Sequence, residues 1–387
     1  MKIALIGSRG IPARYSGFEQ FYEQFAVRLA ARGHDVTVYN RSHFIKDVKK
    51  EYNRVRIVSL PSIPTKHLDT IVHTAISTIH ALFCRYDIVY YCIAGNSPLV
   101  WLPRLTGART LLNVDGEDWA REKWKGFAKW YQLKCEWLAT KTANILIADA
   151  KGVQARYRKK YQTETVFVPY GANIRKDDRT DTLKKWNVQP REYFLYVGRF
   201  VPENAIDLLI RAFKNVRTDK KLVIIGDAPY TGDYKAEIQK LAAEDSRVVL
   251  TGYAFGNDYA QLSSSAYVYV QPSGVDGTRP ALLDQMGFSN CVLVRNSAVN
   301  MEVIGDCGCF FDRESMEVSL TEVMQDLTEH PDRVNSYRAK VASRIENYYN
   351  WEWVTSFYED LFRRLVERSP TQSYDEFTAH AEHPVGI

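Results

Sequence analysis

Only six cysteines occur among the 387 residues, and no two of them form a C-x-x-C pair. That excludes a zinc ribbon and a dithiol redox motif. It leaves Cys84, Cys92, Cys135, Cys291, Cys307 and Cys309 as packing residues of a reducing compartment. Long apolar runs are equally scarce. The best candidate, residues 68–84, is interrupted by Asp69, His73 and His80 and falls short of the about 18 residues that a membrane span requires. The opening run from Lys2 to Ile6 is too short for a signal-peptide core and has no small-residue cleavage site, so secretion is not expected and a cytoplasmic location is. A dominant charge is missing too. Fifty-one Lys and Arg against 46 Asp and Glu leave +5, which gives no reason to expect a nucleic acid partner. With 45% hydrophobic and 25% charged residues, disorder and collagen are excluded, and the length suggests two or three domains at roughly 100–200 residues each.

What is present is an alternation. Short β-branched runs at 3–6, 36–39, 55–59, 88–91, 110–114, 145–148 and 165–168 are separated by segments of helix length, a βα repeat that specifies a parallel sheet covered on both faces. A polar stretch, 173–192, lacks apolar periodicity. The alternation then resumes at 193–197, 222–225, 248–250, 267–271 and 292–294. The reading is α/β, with two doubly wound Rossmann-like domains over 1–170 and 193–350 joined by a linker at 171–192. Apolar residues at i, i+3 and i+4 from Trp351 to Leu365 predict a final helix over 351–367 that crosses back onto the first domain. Residues 369–387 read as a mobile tail.

Three loops stand where chemistry is expected, at the carboxyl ends of parallel strands. The first runs Gly7-Ser8-Arg9-Gly10-Ile11-Pro12-Ala13-Arg14-Tyr15-Ser16-Gly17 into a helix, a glycine-bearing turn whose backbone N–H groups suit a phosphate. Its spacing is not G-x-G-x-x-G. The second strand ends Tyr39-Asn40-Arg41 without the acid that would hold an NAD ribose, although Arg41 keeps a 2′-phosphate reading open. The second loop, Gly198-Arg199-Phe200-Val201-Pro202-Glu203-Asn204, places a guanidinium where it can clamp a diphosphate. The third runs from Pro272 to Gly287. Thr278 there is the expected N-cap, Pro280 opens a short helix that Gly287 ends, Asp276 precedes the helix and Asp284 lies inside it. One carboxylate suits sugar hydroxyls and the other a ribose, while the helix start faces an anion.

From Trp119 to Lys141 the chain carries six Lys/Arg, two Glu and four Trp, a composition that suits an anionic membrane surface. Trp124, Phe127, Tyr131 and Leu138 also share one helical face that a core would accept equally well.

In order and spacing, Ile6 to Glu19, Asn113-Val114-Asp115-Gly116-Glu117-Asp118-Trp119, Pro169-Tyr170-Gly171-Ala172, Val197 to Asn204 and Pro272 to Gly287 with Asn300-Met301-Glu302-Val303 resemble family 4 retaining glycosyltransferases. The match is to the bacterial rhamnosyltransferase-like branch. The resemblance covers residues 1–367. It implies a GT-B fold, in which the two domains face a central cleft, and transfer of a hexose or deoxyhexose such as rhamnose from a nucleotide diphosphate donor. The acceptor it implies is a saccharide, commonly lipid-linked, and no metal or other cofactor is implied. By the same resemblance Asp115, Arg199 and Asp276 are catalytic. Gly10, Gly17, Gly198, Asn204, Gly277, Thr278, Arg279, Pro280 and Asp284 bind the donor. Two departures matter. Both glutamates of the family's E-x7-E pattern are aspartates here, and Asn204 stands where many members carry lysine, which leaves Arg199 as the expected cation on the diphosphate. Two rivals follow: a non-catalytic nucleotide-sugar or glycan-binding protein on the same fold, and a nucleotide-sugar oxidoreductase or epimerase, which must bind a dinucleotide.

Overall fold

A computed structural model describes residues 1–13, 17–46, 50–65, 68–114, 126–227, 232–273, 278–374 and 376, excluding the side chain of Phe127. The expectations placed on Asp115, Asp276, Gly277 and the stretch 119–125 lie outside the described residues. The chain divides into two units, Met1–Gly171 with Trp351–Ile387, and Ala172–Asn350.

The first unit is built on an eight-stranded sheet. Its strands are β1 (Lys2–Ile6), β2 (Asp35–Arg41), β3 (Glu51–Tyr52), β4 (Val55–Leu60), β5 (Ile88–Tyr91), β6 (Arg109–Asn113), β7 (Ile145–Ala148) and β8 (Val166–Phe167), in the order β3-β4-β2-β1-β5-β6-β7-β8. All pairs are parallel except β3 with β4. Ile3, Ala4, Leu5 and Ile6 are all fully buried. An unbroken apolar run is what a strand covered on both faces requires.

The second unit holds β9 (Tyr193–Val197), β10 (Lys221–Ile225), β11 (Val248–Gly252), β12 (Val268–Gln271), β13 (Cys291–Arg295) and β14 (Gly308–Phe311), ordered β11-β10-β9-β12-β13-β14 and parallel throughout. Strand order reverses at β1, between β2 and β5, and at β9, between β10 and β12. In open parallel sheets ligands bind beyond the carboxyl ends of the strands at such reversals. The glycine loop follows β1, Gly198 to Asn204 follows β9, and the segment leading to Arg279 follows β12.

The polar segment read as a linker, 171–192, groups from Ala172 onward with the second unit. The Asp177 N–H donates to Ser264 Oγ at 2.8 Å, and Gln261 Oε1 accepts from both the N–H and the hydroxyl of Thr182 at 2.9 and 2.8 Å. Side chains remote in sequence thus compensate for its missing apolar stripe. The start of the supposed tail is also ordered: Tyr374 is buried, with its ring edge-on to Phe357 at 5.2 Å and to Phe167 at 6.1 Å.

The helix Trp351–Glu367 lies in the first unit. Trp351 stacks on Phe21 at 5.7 Å, Tyr358 packs on Phe25 at 4.7 Å, and the Tyr358 and Tyr90 hydroxyls meet at 2.9 Å. Arg28 and Arg32 pair with Glu352, while Arg32 and His34 pair with Glu359.

Candidate functional site

In the first unit the glycine loop is held by the end of β2. Gly10 has φ +115°, and a Cβ there would overlap the side chain of Asn40, so both the conformation and the approach require glycine. Asn40 grips the loop from both sides, accepting from the Ile11 N–H at 3.0 Å and donating to the Ile11 carbonyl at 2.7 Å. Arg41 is buried; it donates to the Gly7 carbonyl at 3.2 Å and pairs with Asp69 at 2.6 Å. Burial pulls its pKa down from the usual arginine value, and Asp69 opposes the shift. The guanidinium that kept a 2′-phosphate reading open is therefore a brace for the loop. Gly17 opens the helix Gly17–Ala31, which follows the loop.

In the second unit β9 runs into a tight turn. The Gly198 N–H donates to the Ile225 carbonyl at 3.0 Å, and a Cβ on Gly198 would strike the hydroxyl of Tyr196, which folds back beneath it. Residues Pro202–Asn204 form a 3₁₀ turn that buries Asn204. The Asn204 amide donates to the Arg199 carbonyl at 2.8 Å and accepts from Arg279 Nη1 at 3.1 Å. Ser273, just beyond β12, donates to the Glu203 carbonyl at 3.1 Å. Burial pushes the Tyr196 phenol well up, while Arg279, Arg199 and Asn204 favour its ionised form, so both guanidinium groups act on one buried hydroxyl.

The N-cap of the helix Pro280–Gly287 is Arg279, with φ −99° and ψ 114°, and no side chain caps it. Thr278 is not the cap; Pro280 takes the first helical position, where its missing N–H costs nothing. Asp284 is buried in the helix. One of its carboxylate oxygens accepts from Arg175 and the other from the Tyr259 hydroxyl. Burial raises its pKa above the usual carboxylate value, against the pull of Arg175 and Tyr259. Arg175 itself lies over the Phe288 ring at 4.4 Å. A ribose hydroxyl reaching Asp284 would have to share oxygens that already carry these two bonds.

The structure brings Gly198, Arg199, Asn204 and Arg279 together beyond the carboxyl ends of β9 and β12, with Thr278 and Pro280 next to Arg279 in sequence; Asp284 is held apart from them by Arg175 and Tyr259, and Gly10 and Gly17 belong to the first unit. Sequence reasoning missed Asn40 and Asp69 as braces, Tyr196 beneath the turn, and Arg175 with Tyr259 on Asp284. Only the turn after β9 carried a local signal, since a tyrosine two residues before a glycine alternates onto the same face of the strand.

Comparison with known proteins agrees with this architecture. Residues 191–330 match the family described as glycosyl transferases group 1, and residues 1–173 match a domain of unknown function (DUF1972). The O-antigen chain mannosyltransferase B of Escherichia coli is 24% identical over 149 residues, which span 38% of this chain and 39% of that enzyme. A GDP-mannose-dependent alpha-(1-6)-phosphatidylinositol monomannoside mannosyltransferase of Mycolicibacterium smegmatis is 22% identical over 91% of this chain and 95% of its own. Among solved structures, a sucrose-phosphate synthase of Thermosynechococcus elongatus superposes with a TM-score of 0.82 at 20% identity, covering 95% of this chain and all of that one. The β9–β14 unit is thus similar to group 1 glycosyl transferases, and the chain has the GT-B fold of these solved structures.

Proposed function

We propose that the chain transfers a hexose or deoxyhexose, rhamnose by its resemblance, from a nucleotide diphosphate donor to a lipid-linked saccharide during cell-surface polysaccharide assembly, with retention at the anomeric carbon. The observation that carries this reading is the convergence of Arg199 and Arg279 on the carboxyl ends of the two central strands of the group 1 domain. A nucleotide-sugar donor develops negative charge on its leaving diphosphate as the glycosidic bond breaks, and preorganised cations there lower the barrier. Arg199, Arg279 and the start of the helix Pro280–Gly287 supply that charge. Gly10 and Gly17, by the resemblance, carry a glycine turn whose backbone N–H groups suit a phosphate. Asp276 binds donor sugar hydroxyls, Asp284 the ribose, and Asp115 orients the acceptor hydroxyl or stabilises the oxocarbenium-like ring. Attack on the face the leaving group vacates, with the departing phosphate taking the acceptor proton, needs no metal and leaves the protein to orient and to stabilise charge.

A thermal-shift panel of UDP, GDP, dTDP and their common sugar conjugates, with NAD(P) as control, tests the reading, because a ligand that binds only the native state must raise apparent stability. Selective stabilisation by one nucleoside diphosphate, greater with one sugar attached, is expected. A response to NAD(P) alone would favour the oxidoreductase rival.

The lipid-linked acceptor draws support from the relative named for phosphatidylinositol monomannoside and from the helix Gly126–Thr142. Cys135, Glu136 and Ala139 face inward, whereas Trp130 and Trp137 are each 52% exposed, with exposed Lys134 and Lys141 on the same stripe. No helix among the described residues is long and apolar enough to cross a membrane. Contact through this stripe would be interfacial, with indoles at the headgroup level and lysines toward anionic lipid. In sedimentation with phosphatidylglycerol-containing vesicles at low salt, the protein should pellet, and a Trp130→Ser, Trp137→Ser variant should remain in the supernatant.

A further inference from the structure

We propose that Asn204 is a positioning residue that couples Arg199 and Arg279 into one clamp reading two adjacent phosphates, an inference that rests on the nucleotide-sugar reading above. Asn204 is 7% exposed and uses both ends of its amide on two segments 75 residues apart. Its Nδ2 donates to the Arg199 carbonyl at 2.8 Å and fixes the backbone from which that guanidinium projects, while its Oδ1 takes a hydrogen bond from Arg279 Nη1 at 3.1 Å. The Ser273 hydroxyl on the Glu203 carbonyl, at 3.1 Å, ties the same two segments a second time.

The choice of an amide has a physical consequence. A carboxylate at 204 would hold Arg279 more strongly but would cancel the charge that an anion needs. An amide holds the guanidinium without adding a negative charge beside it. Arg199 on the turn after β9 and Arg279 at the N-cap of the helix after β12 are tied through one amide, and two cations suit a diphosphate better than a monophosphate. The end of β12 offers a further donor: Gln271 is buried, Tyr269 donates to its Oε1 at 3.3 Å, and its Nε2 has no hydrogen-bond partner among the described residues. A buried amide N–H left without an acceptor is costly, and a ligand oxygen would relieve that cost.

The readout is the ratio of diphosphate to monophosphate affinity, measured by calorimetry on the full chain with UDP against UMP and GDP against GMP. The unmodified protein should prefer one diphosphate by tenfold or more, the factor expected for a charge-assisted hydrogen-bond pair. Asn204→Ala and Arg279→Ala should each pull that ratio toward one by weakening diphosphate binding more than monophosphate binding, and the double variant should lose no more than either single one. Asn204→Asp, which keeps the grip on Arg279 but neutralises it, should also lose the preference. Asn204→Lys in the Arg279→Ala background should restore it. If Asn204→Ala leaves the ratio unchanged, or weakens monophosphate and diphosphate equally, the clamp is refuted while the nucleotide-sugar reading stands. If the unmodified protein binds no nucleotide, both fall. Should Asn204→Ala not fold, the partly exposed Arg279 carries the same test through its alanine and lysine variants.

Discussion

Trp351→Ala should lower the unfolding free energy by about 3–5 kcal/mol, the cost of deleting a large aromatic side chain from a packed core. Thermal unfolding followed by circular dichroism should show a midpoint roughly 10 °C lower for a unit of this size. Several contacts are lost at once. The indole stacks on Phe21 at 5.7 Å and an interplanar angle of 29°, carries the Arg28 guanidinium at 5.2 Å from its centroid, and packs so tightly on Gly171 that a Cβ there would overlap the ring. Its neighbours cannot refill the space, because Gly171 has no side chain and Phe21 is already engaged with Phe25, Tyr90, Tyr170 and Tyr358. Trp351→Phe keeps the stack and should recover more than half of the loss. An alanine variant as stable as the parent would mean that the hydrogen-bonded Tyr358 and the Glu352 and Glu359 ion pairs dock this helix unaided.

Strands with both faces covered were legible as continuous apolar runs, and the partly exposed β4 and β11 were legible too, from β-branched residues. β1, β5, β9 and β12 are of the first kind, and all are buried. β3 was invisible because two residues, Glu51 and Tyr52, carry no period, and its antiparallel pairing arises only from the reversal into β4. β14, Gly308–Phe311, is four residues long and has no β-branched residue to mark it; its parallel pairing with β13 makes it a strand. The contacts of the segment 173–192 were illegible for the complementary reason. It buries little of its own and is fixed by Ser264 and Gln261, residues 79 to 87 positions away.

At the candidate site, position was legible and partnership was not. Arg199 and the Pro272–Gly287 segment could be placed because parallel strands deliver their loops to one end of the sheet. That Asn204 meets Arg279 required knowing that β9 and β12 are adjacent, which follows from strand order and not from spacing. Asp284 illustrates the limit. Its place in the helix was legible from the Pro280 and Gly287 boundaries, but Arg175, 109 residues earlier, and Tyr259, 25 residues earlier, determine what its carboxylate already holds.

Arg199→Ala should reduce kcat/KM for the nucleotide-sugar donor by about 10²–10³, the range seen when one preorganised stabiliser of developing negative charge is removed. Arg199 follows Gly198 at the carboxyl end of β9, on a turn fixed by the Ile225 carbonyl, the Tyr196 hydroxyl and Asn204. The side chain can be removed without disturbing the strand, and the midpoint of thermal unfolding should stay within a few degrees of the parent. If the guanidinium acts on the leaving diphosphate, the loss should fall mainly in kcat, because the charge it opposes grows as the glycosidic bond breaks. A loss confined to KM would assign it to ground-state binding of a diphosphate already charged. Arg199→Lys separates charge from shape: a lysine keeps the charge but not the planar fork, so an intermediate rate is expected for a bidentate contact and near-parental activity for a point charge. The binding-protein rival predicts something else. With Asp276 and Asp284 each a methylene shorter than glutamate, it allows tight nucleotide-sugar binding, loss of that binding in Arg199→Ala, and no transfer by the parent protein to any saccharide acceptor.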